Sequence, residues 1–495
     1  MDSRATRRAV RSALLLVAGI ALGAVAHAWL RGPSAPTVPP RAGGQPVGPL
    51  EPAPDRASEP DESRGGPRAA ARAPGVSTPL DELARLDEDL PHAGPIKWPP
   101  IPFPMRERAR SAFPSRQVPA GGNEPGGAAS QQAVEHALSW LAAHQAGGGG
   151  WDAATFHEWC DLERAASESP ADGAGKRMYD VGVSGLALCA FLGAGYTNRG
   201  DHEFARTVSR GLKYLKDVQD PEGCFGPRLT QQYIYNHAVS ALAMVEAYGM
   251  TGSPIFKGSA QRALDFAALA RNPDLAWRYG IQPGDNDTSV TGSMMLTFGS
   301  ARLVNAHARA QGSPEPLAVD GSAIAGIRSW VESVTDPATG RVGYLMRGKG
   351  PARPHDQLDR FPAEKSESMT SVAMLARIFG GEDVRGSDAI QQGAALCASR
   401  LPTWNESDGS IDMYYWYYAT LAMFQVGGEH WDKWKVAMDK AIVDSQRRDT
   451  EYCQLKGSWD PVGPWGPDGG RVYSTALMAM CLEAHYRYDR ARGTR

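Results

Sequence analysis

The chain has 495 residues, with 52 lysines and arginines against 55 acidic residues, a formal net charge of −3 and 42% hydrophobic residues. Because there is neither a basic surplus nor a basic stripe, the composition argues against nucleic acid as a partner. The length allows two or three domains, but the composition of the first 130 residues is not that of a folded domain.

Residues 1–31 have the order of a membrane-directing segment. Four arginines, the first at Arg4 and the last at Arg11, precede 18 uncharged residues at 13–30. Such a start keeps its basic side in the cytoplasm. The stretch is either an uncleaved transmembrane anchor, since its length approaches that of a membrane span, or a signal peptide cleaved after the small-x-small sequence at 26–28. Both alternatives put the rest of the chain outside the cytoplasm, membrane-anchored on the periplasmic side or secreted.

Residues 32–130 contain 21 of the 37 prolines and few large apolar residues. Such a segment buries too little surface to offset the entropy of ordering it, so it is expected to be a disordered linker.

A short apolar phrase recurs through the remainder of the chain. Its copies begin 56, 51, 79, 49 and 56 residues apart, at Ser184, Ser240, Thr291, Thr370, Ala419 and Thr475. A spacing that stays near one length indicates a repeat architecture.

Each repeat combines two kinds of helix. The first kind has one apolar stripe, typical of an outer wall, as in the sets that begin at Val134, Phe204, Ile324, Ile390 and Trp434. The second kind is apolar on all sides and must be covered, as at 181–196, 237–248, 289–304, 369–379, 413–426 and 472–488. Because neither terminal copy resembles a polar cap, the pattern predicts an all-α fold, a single α6/α6 toroid of six helical hairpins at 131–490.

The six cysteines do not form a disulfide framework. Three lie in apolar helices and are expected to be core residues, namely Cys189, Cys397 and Cys481. The other three lie in loops, where one bridge among them is possible, namely Cys160, Cys224 and Cys453. No pattern for zinc, a nucleotide, flavin or haem is present, so neither a metal nor a cofactor is predicted.

In a double ring, all inner helices run the same way, so their N-termini meet at one rim with unpaired amide groups and partial positive charge. The expected ligand-binding residues lie there, namely Asp180, Tyr235, His237, Arg278, Tyr279, Tyr414, Tyr415, Trp416, Arg471 and Tyr473. Each also has a structural interpretation. Aspartates cap helices, a buried histidine is often only hydrogen-bonded, and the two arginines are as suited to tying loops as to binding a ligand.

Tryptophans and glutamines recur in the loops between the two helices of a repeat. Trp151, Trp277 and Trp459 are expected to fix these turns to the wall. The pairs Gln145–Trp151, Gln219–Phe225 and Gln446–Trp459 resemble the Gln-Trp motif of the squalene cyclase and protein prenyltransferase superfamily, the terpenoid cyclase toroids. The phrases WRYG…GDNDTSVTG and GSWDP…GGRVYSTALMAMCLEAHYRY resemble a bacterial, membrane-tethered branch of it.

The resemblance implies two chemistries. Squalene-hopene-type cyclases protonate an alkene with an Asp-x-Asp-Asp motif. Asp285 and Asp287 match its first and third positions, with Asp287 in the place of the acid, while Thr288 replaces the last carboxylate and the second toroid of those enzymes is not present in this sequence. Zinc prenyl transfer is not implied, because the chain has no Asp-x-Cys.

Three functions follow as hypotheses. The first is binding of an apolar or amphipathic ligand, an isoprenoid, lipid or peptide, in the central funnel. The second is a terpene cyclase-like isomerase or lyase with Asp287 as general acid. The third is a non-catalytic scaffold that presents its surface to another envelope protein.

Overall fold

The computed structural model describes residues 127–160, 172–350, 352–448 and 454–487. The expected anchor or signal at 1–31 and nearly all of the linker at 32–130 lie outside these ranges. Within them the fold is all-helical, with isolated bridges and no strands. None of the described helices is both long and apolar enough to cross a bilayer.

Twelve long helices alternate between an outer and an inner position over the described residues. The outer helices are α1 (Ala128–Ala143), α3 (Ala205–Asp217), α5 (Pro254–Ala270), α7 (Gly321–Val334), α9 (Asp388–Ala398) and α11 (Gly428–Ser445). The inner helices are α2 (Asp180–Gly193), α4 (Tyr233–Thr251), α6 (Thr288–Ala310), α8 (Ser368–Phe379), α10 (Met413–Val426) and α12 (Gly466–Leu482). A four-residue helix, α13 (Ala484–Arg487), follows the last of them.

The inner helices pack against one another in a closed cycle. Each contacts the inner helix before and after it, and α12 also packs against α2, while α1 contacts α11 on the outside. Six hairpins therefore form an α/α toroid, as the spacing of the repeats predicts.

The two kinds of helix differ in burial as their sequences require. On α7, Ile327, Val331 and Val334 are buried, whereas Arg328 and Glu332 are exposed. Almost every residue of α10 is buried. An inner helix packs against the inner helices on both sides and against outer helices behind it, and its remaining face lines the cavity. The sequence analysis did not identify the apolar stripe of α5. This helix begins at Pro254, a residue that is favoured in the first turn of a helix.

The three tryptophans fix the hairpin turns to the outer wall, as predicted. Each is fully buried and donates its indole hydrogen to a carbonyl of the preceding outer helix. Trp151 donates to Leu141 at 2.7 Å, and Trp277 to Ala267 at 2.7 Å. Trp459 donates to the carbonyl of Ile442 at 2.8 Å.

The motif glutamines join neighbouring repeats. Gln145 donates to the carbonyl oxygens of Gly149 in its own loop and Thr207 on the next outer helix. Gln219 repeats this arrangement with Gly223 and Ser259.

Gln446 closes the ring with the same pair of bonds. It donates to Gly457 at 2.9 Å and, from the last repeat to the first, to Ala133 of α1 at 2.8 Å. Gly457 is required because its φ is +95° and an added Cβ would lie 2.4 Å from the carbonyl oxygen of His136.

Of the cysteines, Cys189, Cys397 and Cys481 are fully buried in the core, as expected. Cys224 carries a free thiol whose pKa is raised by burial to about 12. Cys453 lies outside the described residues.

Candidate functional site

The centre of the inner ring contains a cavity. It is lined by α2, α4, α6, α10 and α12, together with Tyr179, Ala352 and Trp465 from the loops that lead into inner helices. Its empty volume is about 1040 Å³, including the part that joins bulk solvent.

The cavity becomes apolar with depth. Residues one to three turns inside the inner helices supply most of the wall, among them Val183, Leu186, Leu242, Leu296, Leu477 and Met480. Among the described residues, the only charged side chain in the lining is Asp468, and it pairs with Lys176. An apolar chain would therefore meet hydrocarbon on every side of the deeper part.

A buried ion cluster lies beyond the apolar end. Arg487 Nη2 is 2.9 Å from Glu246 Oε2, and its Nη1 is 3.1 Å from Glu483 Oε2 and donates to the carbonyl of Cys189. All three charged side chains are fully buried. A Cβ at Gly193 would lie 1.8 Å from Arg487 Nη1, so the cluster leaves room only for glycine there.

Hydroxyl groups surround the mouth of the cavity. Tyr235 hydrogen-bonds Ser289, and Tyr418 hydrogen-bonds Ser293 at 3.0 Å. All four side chains come from the first or second turn of their helices, so they lie on the side where the inner helices begin. The mouth can therefore exchange hydrogen bonds with a polar group, whereas the interior cannot.

Asp287 lies beside this ring of hydroxyls without lining the cavity. Its Oδ1 caps α6, accepting from the amide of Val290 and the hydroxyl of Ser289, each at 2.8 Å. Its Oδ2 makes no hydrogen bond in the described part and lies 3.8 Å from Arg278 Nε. Burial raises the pKa of Asp287 from 3.8 to about 6.

The other members of the motif lie further from the cavity. Asp285 is exposed and pairs with Arg278. The hydroxyls of Tyr279 and Tyr344 share a hydrogen bond of 2.9 Å, and the ring centroid of Tyr279 is 5.9 Å from that of Tyr235. Thr288, at the position of the missing carboxylate, donates to the carbonyl of Gly343 at 2.7 Å. Arg278 and Tyr279 thus belong to the surroundings of Asp287, outside the cavity lining.

Of the ten residues expected to bind ligand, Tyr235, Tyr414 and Tyr473 line the cavity. Three others contact outer helices or the loops beside them and do not line the cavity, which corrects the placement the sequence gives them. His237 accepts from the amide of Phe225, and burial lowers its pKa to about 3. Tyr415 donates to carbonyls of Cys397 and Arg400, and the buried ring of Trp416 packs near Trp404.

The last two of the ten, Arg471 and Asp180, bind other parts of the protein and do not line the cavity. Arg471 is fully buried and binds Asp460 at 2.7 Å, Ser458 and the carbonyl of Asp172. Asp180 does not cap its helix but accepts from the amide of Ala153 at 2.8 Å. Burial raises the pKa of Asp180 to about 6.

Several cavity residues are absent from the set that the sequence indicates. Tyr417 and Tyr418 share a helix face with Tyr414, since positions three and four apart point the same way, and that spacing would have identified them. Trp465 precedes α12 in an irregular loop, where no periodic signal exists. The described residues contain no cluster of histidine, cysteine and acidic side chains able to hold a metal.

Comparisons with known proteins give one family match. The squalene-hopene cyclase C-terminal domain family matches residues 123–297. The resemblance to the squalene cyclase-like superfamily is therefore confirmed, while the membrane-tethered bacterial branch stays a prediction. No curated protein sequence matches the chain.

Solved structures give distant likenesses only. The GH76A alpha-1,6-mannanase of Salegentibacter sp. HEL1_6 is 10% identical, with a TM-score of 0.47 over 72% of this chain and 98% of that one. The type II terpene cyclase MstE from Scytonema is 12% identical, with a TM-score of 0.42 over 72% and 96%. A protein from Actinoplanes is 15% identical, with a TM-score of 0.41 over 72% and 98%.

Proposed function

We propose that this protein binds an apolar or amphipathic molecule, an isoprenoid or another lipid, in the cavity of its toroid. The observation that carries the proposal is the form of the cavity, apolar in its depth and ringed by hydroxyls at its mouth. A lipid matches this gradient, because its chain leaves water for hydrocarbon while its head keeps hydrogen-bonding partners.

A peptide fits the cavity less well than a lipid. Every residue of a bound peptide brings an amide donor and a carbonyl acceptor that need partners once they leave water. The deeper wall, at Leu242, Leu296 and Leu477, supplies none. A peptide would therefore lose hydrogen bonds along its whole length, and a lipid only at its head.

Apolar side chains exposed at the rim of the toroid support the proposal that the ligand reaches the cavity from a lipid phase. Large apolar side chains are exposed in several loops that run from an outer to an inner helix, namely Trp159, Leu229, Ile281, Leu345, Met346 and Leu358. These loops lie on the face where the inner helices begin. The proposal includes a membrane tether through residues 1–31 and a position outside the cytoplasm, as the N-terminal sequence suggests.

The cyclase hypothesis has less support. A general acid must reach the alkene, but Asp287 is outside the cavity lining and its Oδ1 caps α6. Its raised pKa, to about 6, follows from burial alone and does not supply the missing approach. The scaffold hypothesis rests on an exposed apolar outer wall, whereas the deep cavity favours binding.

The test is to fill the cavity and to measure binding of an uncharged, environment-sensitive fluorophore such as N-phenyl-1-naphthylamine. Val239 lines the cavity on α4 and is only half-buried, so Val239→Trp adds a ring to empty space. The matched control is Val436→Trp on α11, where Val436 is 54% exposed. We expect the first variant to lose at least tenfold in affinity and the second to bind as the wild type does. Equal binding by both variants would exclude the cavity as the site.

A further inference from the structure

Two polar groups at the start of α12 have no hydrogen-bond partner in the described part of the chain, and a third, the hydroxyl of Tyr414, lies on α10 of the same cavity lining. Trp465 and Tyr473 both line the cavity, and the indole nitrogen of Trp465 and the hydroxyl of Tyr473 are buried without a hydrogen bond in the described part of the chain. A buried polar atom left unpaired costs free energy. Two such atoms on one wall therefore indicate a place where a bound molecule supplies the partner.

Both groups are hydrogen-bond donors. An indole nitrogen can only donate. Burial raises the pKa of Tyr473 well above its ordinary value, so this hydroxyl keeps its proton and also donates. A single ligand group that satisfies both as donors is an acceptor, such as a carbonyl or ether oxygen.

The wall that carries these donors is held rigidly. Trp465 and Tyr473 flank a kink at Gly470, where φ is +68°. The amide of Arg471 donates to the carbonyl of Gly173 at 2.8 Å, and Arg471 itself is fixed by the buried contacts described above. A Cβ at Gly469 would lie 2.4 Å from Cβ of Tyr473, so only glycine leaves room for the tyrosine at this position. The donors are thus oriented before a ligand arrives.

Charge at the same site argues against an anionic head. Asp468 is the charged residue of the described lining, and its one cationic partner, Lys176, stands outside the lining. A phosphate or carboxylate would bring a second negative charge beside Asp468, and the described lining contains no arginine or lysine to receive it. Desolvating an unpaired charge is costly.

We propose that the ligand is an uncharged lipid with a carbonyl oxygen at its head, a long-chain ester, ketone or quinone, which accepts hydrogen bonds from Trp465 and Tyr473. This inference rests on the proposed function and narrows it to one class of ligand. The apolar chain occupies the space bounded by Leu242, Leu296 and Met480.

The experiment measures competition against N-phenyl-1-naphthylamine by three probes of equal chain length, octadecane, methyl stearate and octadecyl phosphate, on the full-length protein. We expect methyl stearate to bind about tenfold more tightly than octadecane, as one or two buried hydrogen bonds would give, and octadecyl phosphate to bind no more tightly than octadecane. Equal affinities for the ester and the alkane, or tightest binding of the phosphate, would overturn the inference.

Variants assign the preference to the two donors. Tyr473→Phe and Trp465→Phe should each reduce the ester preference at least threefold and leave the affinity for octadecane within twofold, and together they should abolish the preference. The control is Tyr233→Phe, since Tyr233 is buried outside the cavity lining and its loss should change neither affinity.

Octadecane binding also reports that each variant keeps an intact cavity. An ester preference that survives in the double variant would refute the role of the donors. If the fluorophore, the alkane and the ester all fail to bind the wild type, the proposed function itself fails, which is a different result from equal binding of ester and alkane.

Discussion

Removing the side chain that closes the ring should loosen the junction between the last repeat and the first. Gln446 is 5% exposed and donates two hydrogen bonds, to Gly457 in its own loop and to Ala133 on α1. Gln446→Ala loses both, at about 1 kcal/mol each, and about 1 kcal/mol of buried side-chain packing. The sum is about 3 kcal/mol, which corresponds to a roughly 100-fold change in an opening equilibrium.

Hydrogen–deuterium exchange locates this effect. We expect amides of α1 and α11 to exchange up to roughly 100-fold faster in Gln446→Ala, while those of α7, on the opposite side of the ring, keep their protection. Gln311→Ala is the control, because Gln311 is exposed at the end of α6 and surface changes of this kind cost less than about 0.5 kcal/mol. Unchanged exchange in α1 would refute closure of the ring through Gln446.

Two further predictions concern buried charge. Because burial raises the pKa of Asp287 from 3.8 to about 6, ionisation of this carboxyl destabilises the fold: the penalty is absent below 3.8, grows as the pH rises to about 6 and is constant above that. Asp287→Asn, which still caps α6, should be more stable than wild type by about 3 kcal/mol at pH ~7, with a difference that shrinks towards pH ~4 in thermal melts; a difference constant with pH would contradict this. Gly193→Ala should cost about 3–5 kcal/mol in the same assay by displacing Arg487 from its carboxylates, whereas Gly321→Ala, whose Cβ meets nothing within 4 Å, should be nearly neutral.

The sequence predicts the ring well because its signals are periodic. Six apolar phrases locate the inner helices, and the burial of α10 on all sides follows from the lack of a polar face. The turn-fixing role of Trp151, Trp277 and Trp459 also follows, since a large side chain with one donor needs both burial and an acceptor.

The rotation of each inner helix is what the sequence does not indicate. A helix with a polar face shows which side meets the core, but an inner helix is apolar on all sides. Tyr414, Tyr415 and Trp416 are adjacent in sequence and of similar type, yet only Tyr414 reaches the cavity, because successive residues point about 100° apart. His237 and Tyr235 differ for the same reason.

Charged rim residues were also ambiguous. Arg471 stands in a loop beside a tyrosine, which fits either a ligand or a tie between loops, and the structure gives it partners at Asp460 and Asp172. Asp172 is 299 positions from Arg471 in sequence, so that pairing could be recognised only after folding brings the two segments together. Trp465 is the opposite case. No sequence pattern marks it as a cavity residue, yet in the described part of the structure its indole nitrogen is buried without a hydrogen-bond partner.

The measurement that tests the account most directly is native mass spectrometry of the full-length protein purified from a bacterial envelope, followed by extraction and identification of what it carries. We predict an uncharged isoprenoid or acyl lipid bound in the wild type and in Val436→Trp, and missing from Val239→Trp. A protein that is empty, or that carries a polypeptide in place of a lipid, would contradict the proposal that the cavity is a lipid-binding site.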